Sequence, residues 1–378
     1  MQQYSFDVQT NMSLAKKLSQ LSWMLIFLIT AVACVGFTAL YSAAGGSFDP
    51  WASKQMIRFA IGMAGMFMIA LIDIRFWHKF AYWIYAGGLT LLIIVEIMGK
   101  IGMGAQRWID LGFIQLQPSE FMKLAVILAL ARYFHSATLD EMRRIFFLIP
   151  PALMILFPVA LVMVQPDMGT GGMITIAGAA VVFLAGAPLW IFVTGLIGAA
   201  AMGPIAWEFM HDYQRKRVLT FLDPETDPMG AGYHIIQSKI ALGSAGFEGK
   251  GFLHGTQSHL NFLPEKQTDF IFTLWAEEWG LLGGWFVMIL MALIFMYCGW
   301  IALRCRHAFG RILAFGLMVN FSLYAIINMA MVMGVFPVVG IPLPLISYGG
   351  TAMLSILAGF GLIMSCNIHR DSKLPKMN

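Results

Sequence analysis

The sequence predicts an all-α polytopic integral membrane protein of about ten transmembrane helices, with both termini cytoplasmic and one long extracytoplasmic loop between spans 7 and 8. Three observations carry that expectation. Of 378 residues, 59% are hydrophobic and only 12% charged, whereas a soluble chain carries roughly 25% charge. So large an apolar surplus cannot be buried in one water-facing core, and lipid must solvate much of it. The apolar residues fall in runs close to the roughly 20 residues that a spanning helix needs. Lysine and arginine are shared unequally between alternate connecting segments.

The runs lie at about 21–44, 55–72, 77–98, 118–135, 145–164, 168–187, 189–210, 270–302, 312–334 and 347–367. Lys16 and Lys17 precede the first, as they would a secretory signal. That run is longer than a signal h-region and nine more follow, so it reads as a retained helix. The cuts near Gln165 and Pro188 rest on a few polar, Pro or Gly residues, and losing one would place the termini on opposite sides. With the N-terminus inside, the inner segments hold thirteen basic residues from Lys16 to Lys376, and the short outer ones hold Lys54, Arg58, Lys100, Arg107 and Lys123. Net charge is only +4 and implies no nucleic-acid partner. Cys34, Cys298, Cys305 and Cys366 avoid the long polar loop, so no disulfide framework is indicated.

The chain reads as a single membrane domain, 1–378, carrying the loop 208–269. Parity puts that loop outside, and a loop of about 60 residues crosses largely regardless of its charge. It is too short for an ordinary independent domain. Apolar residues are interleaved through it, and Gly232–Ala245 has the pattern of a short amphipathic helix lying on the membrane. Loops of this length are functional or disordered, and the interleaving favours function.

Candidate chemistry gathers toward the outer side. Asp269, in LPEKQTDFIF, lies where Pro264 ends the loop and the eighth span begins. Thr268 or Asp269 is placed to cap that helix; alternatively, a carboxylate at the water–lipid boundary can take a proton from a lipid-linked substrate. Glu120 and Lys123, three apart in QPSEFMK, share a helix face, either as a mutual ion pair or lining a pathway. Arg107 and Trp108 form an interfacial anchor or a phosphate site. Arg215, Lys216 and Arg217 suit lipid headgroups or a pyrophosphate equally. The glycines around Lys250 lack the spacing and the following Ser or Thr of a phosphate-binding loop. His254 and His259 have no cysteine nearby to suggest a metal site. The acidic pair Glu277 and Glu278, one to two turns into the eighth span, is open to either a structural or a pathway role.

One stretch carries a resemblance. GIPLPLISYGGT at 340–351, preceded by Asn328 and Pro337, resembles the signature of the SEDS family (shape, elongation, division and sporulation), which includes RodA and FtsW. GAQRWI at 104, QPSEFMK at 117, QPDMGT at 165, the run from Gly249 to Phe272 and WAEEWG at 275 follow in the family's order, covering about residues 20–368. The signature and HGTQSHLNFLPE look more like RodA than FtsW, hence side-wall elongation rather than division. The resemblance implies a peptidoglycan glycosyltransferase of the bacterial cytoplasmic membrane. Such enzymes join lipid II outside the membrane into β-1,4 strands and release undecaprenyl pyrophosphate. It implies that Asp269 is the catalytic base, and that Glu120, Lys123 and Arg107 hold acceptor or pyrophosphate. It also implies a class B penicillin-binding transpeptidase and other elongation-complex membrane proteins as partners. No cofactor is required on this reading; a divalent cation, Mg or Mn, could assist at the pyrophosphate, but no ligand set is legible. A lipid II flippase and a non-catalytic scaffold are the alternatives. The gathering of charge on the outer half favours the enzyme.

Overall fold

A computed structural model describes residues 12–102, 105–110, 115–210, 212–227, 230–259 and 265–375; Pro264 and Lys376 lie outside the described residues. The described chain is helical apart from three short antiparallel strands. In order, the helices are α1 (Leu14–Ser19), α2 (Trp23–Ala43), α3 (Ala52–Leu71), α4 (Ile74–Met98), α5 (Pro118–Phe134), α6 (Leu139–Met142), α7 (Ile145–Val164), α8 (Met168–Leu184) and α9 (Leu189–Phe209). After them come α10 (Asp212–Leu222), α11 (Ala231–Ser244), α12 (Thr256–His259), α13 (Ile271–Arg304), α14 (Ala308–Val332) and α15 (Gly350–Ile368). Seven of these (α2, α3, α4, α7, α13, α14 and α15) are long and apolar enough to cross a membrane; α8 and the apolar part of α9 are shorter, and α5 has 17 residues. All lie on the runs expected from composition.

The centre of the bundle is α5, α14 and α15. Almost every residue of α5 from Pro118 to Phe134 is buried, and α15 packs on α3 while α14 packs on α5, α8 and α13. Such all-round burial is where a short, less apolar helix can survive in lipid, because neighbouring helices rather than acyl chains meet its polar groups. At the periphery, α9 presents Leu196, Ile197 and Phe209 outward, as a lipid-facing helix does.

Three local departures from the sequence reading shape one end of the molecule. The segment expected as a short loop at 104–112 contributes β2 (Ala105–Asp110), paired with β1 (Lys100–Gly102) and β3 (Gln115–Leu116). The tenth span's helix starts at Gly350 rather than 347, because its N-cap Gly349 is extended (φ −171°, ψ 127°). The predicted amphipathic helix is present as α11, but it does not rest on lipid alone. Ser238 on it is fully buried, donating to Val332 O at 2.8 Å and lying 2.8 Å from Thr273 Oγ1, which fastens α11 to α14 and α13.

The long connection is also spliced into α13. That helix breaks at Gly280 (φ 63°, ψ −160°), a backbone region that only glycine adopts freely. The groups freed by the break are satisfied from the loop. Lys250 N and Gly251 N donate to Glu277 O and Glu278 O at 3.0 Å each, and Leu281 N and Leu282 N donate to Gly246 O and Phe247 O. A β-carbon on Gly280 would stand 2.3 Å from Gly249 N, so the two glycines permit the contact. The glycines around Lys250 therefore serve backbone approach. Both acidic side chains fasten the same splice. Glu277 accepts from Lys250 Nζ and Gln257 N at 2.8 Å, and Glu278 from Leu253 N at 3.2 Å and from Ser42 Oγ.

Candidate active site

Asp269 stands in the turn that closes the long connection, one residue before Phe270, the N-cap of α13. No side chain caps that helix, so neither Thr268 nor Asp269 takes the capping role its position suggested. Thr268 Oγ1 donates instead to the Glu265 carboxylate at 2.9 Å. The turn is held through its carbonyls: Tyr348 N donates to Gln267 O at 2.9 Å, Ser347 Oγ to Thr268 O at 2.6 Å, and Asn328 Nδ2 to Asp269 O at 2.9 Å.

Asp269 is half-buried, and its Oδ2 lies 3.5 Å from where a β-carbon would stand on Gly340. Gly340 has φ +72°, which places the chain against the carboxylate without strain. Burial pushes the Asp269 carboxyl up from 3.8 to about 6; the neighbouring charge of Glu265 acts in the same direction and Arg217 opposes it. A carboxylate so raised is a stronger base that is still ionised at neutral pH.

The residues leading to Gly340, 337–339, line a cavity of about 70 Å³ together with Arg107, Asp167, Gln214 and Arg217. Arg107 reaches it from β2. Its Nε donates to Gln165 O at 3.0 Å, its Nη2 donates to Pro166 O, and its Nη1 lies 4.0 Å from Asp167 Oδ1. Asp167 also caps α8 through Thr170 N at 3.2 Å, so the N-terminal end of a helix opens on the same space. Two guanidinium groups and a helix N-terminus against one carboxylate make this a net cationic pocket beside a base, suited to an anionic leaving group.

Residues 17–373 match the FtsW, RodA and SpoVE family, described as cell cycle proteins. The chain belongs to that family. Across 355 residues it is 43% identical to the peptidoglycan glycosyltransferase MrdB of Escherichia coli strain K12, spanning 92% of this chain and 93% of MrdB. A chain from a structure on coordination of polymerization and crosslinking by a peptidoglycan synthase complex superposes with a TM-score of 0.81 at 34% identity, covering 93% of this chain and 99% of that one. The rod shape determining protein RodA of Thermus thermophilus superposes with a TM-score of 0.72 at 28% identity, covering 93% and 98%. This SEDS protein thus has a RodA-like fold over nearly its whole length.

Of the site residues expected from the SEDS resemblance and from charge, the structure brings Arg107 and Arg217 to one cavity, with Asp269 near enough to Arg217 to feel its charge, and gives the others different partners. Arg215 Nε and Nη2 donate to Trp207 O and Glu208 O at 2.9 and 2.6 Å, closing the C-terminal end of α9. Lys216 pairs with Asp227 at 3.0 Å and is largely exposed. Trp108 is half-buried on β2, next to Arg107 but not among the residues lining the cavity. Glu120 and Lys123 are buried at 4% and 2% exposure and bond to each other at 2.8 Å. A third member, Tyr324 of α14, receives a bond from Lys123 and donates one to Glu120, with the ammonium 4.1 Å from its ring centroid. Sequence reasoning passed over Tyr324, Asp167 and Glu265. For Asp167 a signal existed, since it directly follows the QP of a matched motif and opens an apolar run; a tyrosine inside an apolar helix gives none.

Proposed function

We infer that this SEDS protein is a peptidoglycan glycosyltransferase of the RodA type, and we propose that Asp269 is its general base in joining lipid II units. The observation that carries the residue assignment is the Asp269 carboxyl, raised to about 6 by burial beside Glu265, next to a pocket holding Arg107 and Arg217. In the proposed reaction Asp269 takes the proton of the acceptor sugar's 4-hydroxyl as that oxygen bonds to the anomeric carbon of the donor. The bond from that carbon to the pyrophosphate breaks with inversion, and the electron pair leaves on undecaprenyl pyrophosphate. Charge developing on the leaving oxygen is met by Arg107 and Arg217, which also fix the donor in place. Nothing in this step calls for a cofactor, although a divalent cation would add to the same neutralisation.

The proposed topology has ten spans, counting α5, α8 and α9 with the seven longer helices, and both termini in the cytoplasm. The basic residues of the inner segments support it. Asp269 then faces the outside of the bacterial cytoplasmic membrane, where polymerised glycan is needed. The partner we propose is a class B penicillin-binding transpeptidase, in keeping with the synthase complex whose chain shares this fold. The buried, mutually satisfied Glu120–Lys123 pair supports a bracing role more than contact with substrate.

Polymerisation of lipid II by purified protein with its transpeptidase, read as glycan length on a gel, tests this. Wild type is expected to make long strands and Asp269→Asn none, with folding and transpeptidase pull-down intact. Equal strands from both would refute the base assignment. Neither making strands while the complex is intact would favour a flippase or scaffold.

A further inference from the structure

We propose that Ser347 and Asn328 are positioning residues for Asp269, and that the signature segment 340–351 is the anchor of the catalytic turn. The proposal rests on the reading of Asp269 as the base. It starts from a backbone observation: three successive carbonyls, those of Gln267, Thr268 and Asp269, are each held by a donor from elsewhere in the chain. One hydrogen bond fixes a distance. Three on consecutive carbonyls, from two different elements, fix the orientation of the peptide planes and so the direction in which the Asp269 side chain leaves the backbone.

The donors are themselves immobilised. Asn328 is fully buried on α14, and its Nδ2 spends its two protons on Asp269 O at 2.9 Å and Ile341 O at 2.8 Å. Because both partners are carbonyl oxygens, the amide can be oriented only one way. It thereby ties the base to the signature segment beside Gly340, the residue that meets the carboxylate. Ser347, 4% exposed, accepts from Leu343 N at 2.8 Å while donating to Thr268 O, so one hydroxyl closes its own loop and holds the turn. Behind it, the fully buried Gln55 of α3 donates to Ser347 O at 2.8 Å and accepts from Gly349 N at 3.4 Å. The Arg58 guanidinium stacks 4.5 Å over Tyr348, the remaining donor to the turn. Ser347, Asn328 and Gln55 are not among the residues lining the cationic cavity. Their reach to the chemistry is therefore through the turn, whose carbonyls lie between helices and outside any ladder of their own.

A base held this way does not have to be ordered at each turnover, and a displacement of about 1 Å at such a group costs on the order of 100-fold in rate. The test is steady-state lipid II polymerisation by the full-length chain with its transpeptidase, together with thermal unfolding in the same detergent. It compares wild type with Ser347→Ala, Ser347→Thr, Asn328→Ala and Asp269→Asn. Ser347→Ala and Asn328→Ala are expected to lower kcat roughly 10- to 100-fold at unchanged KM. Ser347→Thr, which keeps the hydroxyl, is expected to recover most of the rate. If Asn328→Ala does not fold, the Ser347 pair decides alone. Wild-type kcat in Ser347→Ala, a raised KM at unchanged kcat, or an equal loss in Ser347→Thr would overturn the anchor. An inactive Asp269→Asn beside a fully active Ser347→Ala leaves the base reading standing and removes only the anchor; an active Asp269→Asn removes the base reading itself.

Discussion

The Glu120–Lys123–Tyr324 cluster and the Asp269 turn both hold ionisable groups out of water, yet they are built on opposite plans. In the cluster each polar atom faces a partner: the ammonium bonds to the carboxylate and the phenol, and the phenol bonds back to the carboxylate. Ser355 Oγ donates to Glu120 O at 2.9 Å behind them. Charge there is cancelled within one side-chain length and locked between α5, α14 and α15. At the turn the charges acting on Asp269 include another carboxylate, Glu265, and the opposing cation Arg217 belongs to a separate helix bordering the cavity. A closed pair resists lipid; an unbalanced carboxylate beside a pocket is ready to accept a proton. On the proposed reading, the contrast separates a buried charge that braces from one that reacts.

The largest expected effect breaks the reactive side of the comparison. Asp269→Asn keeps the side chain's shape and should reduce polymerisation by at least about 100-fold, the range for loss of a positioned general base. Thermal stability should fall little. Strand length on a gel and unfolding in detergent check the two halves separately, and a large loss of stability would make Asp269 a bracing residue after all.

Next comes the bracing side. Lys123→Ala or Glu120→Ala leaves its partner charged and buried, which should cost about 3–5 kcal/mol of stability. Tyr324→Phe removes one hydroxyl and should cost about 1–3 kcal/mol. Thermal unfolding of the purified chain reads both. Activity lost in Lys123→Ala without destabilisation would move the pair to the substrate side of the comparison.

The reach of the sequence can be judged from the same two regions. The helices were legible because lipid imposes a composition and length on every span, whatever packs inside. Asp269 and the Glu120–Lys123 pair were legible because charge is rare in this chain and so marks its positions. The partners that decide what those charges do were not. Tyr324 lies about 200 residues away from Glu120, and only the packing of α14 on α5 brings them together. The basic run 215–217 looked like one patch because α10 was not foreseen. On a helix, neighbours point about 100° apart, so Arg215, Lys216 and Arg217 meet three different environments. The break at Gly280 was hidden for a related reason: its cause is the approach of Gly249, a contact no local pattern announces.

That division of the basic run sharpens the comparison by an intermediate effect. Arg217→Ala should lower polymerisation roughly 10-fold or more, as expected when a cation stabilising a leaving group is lost. Lys216→Ala, which removes a largely exposed lysine from outside the cavity lining, should change polymerisation little. Equal losses from the two would mean that the run acts as a diffuse headgroup-binding patch, and the cavity would lose its part in the argument.

The smallest effect is the most specific to the turn. With the Asp269 carboxyl at about 6, the basic form is present above that value and is lost as pH falls through it, so the acid limb of kcat/KM should lie near pH 6. Glu265 raises that carboxyl by repulsion, so Glu265→Gln should move the limb to lower pH, leaving activity at neutral pH nearly unchanged. Arg217 lowers it, so Arg217→Ala should move the limb the other way. Rate profiles of the three proteins on one lipid II preparation distinguish a tuned base from a bystander. A limb that stays in place in both variants would mean that Asp269 is not the titrating group, whatever its asparagine variant does.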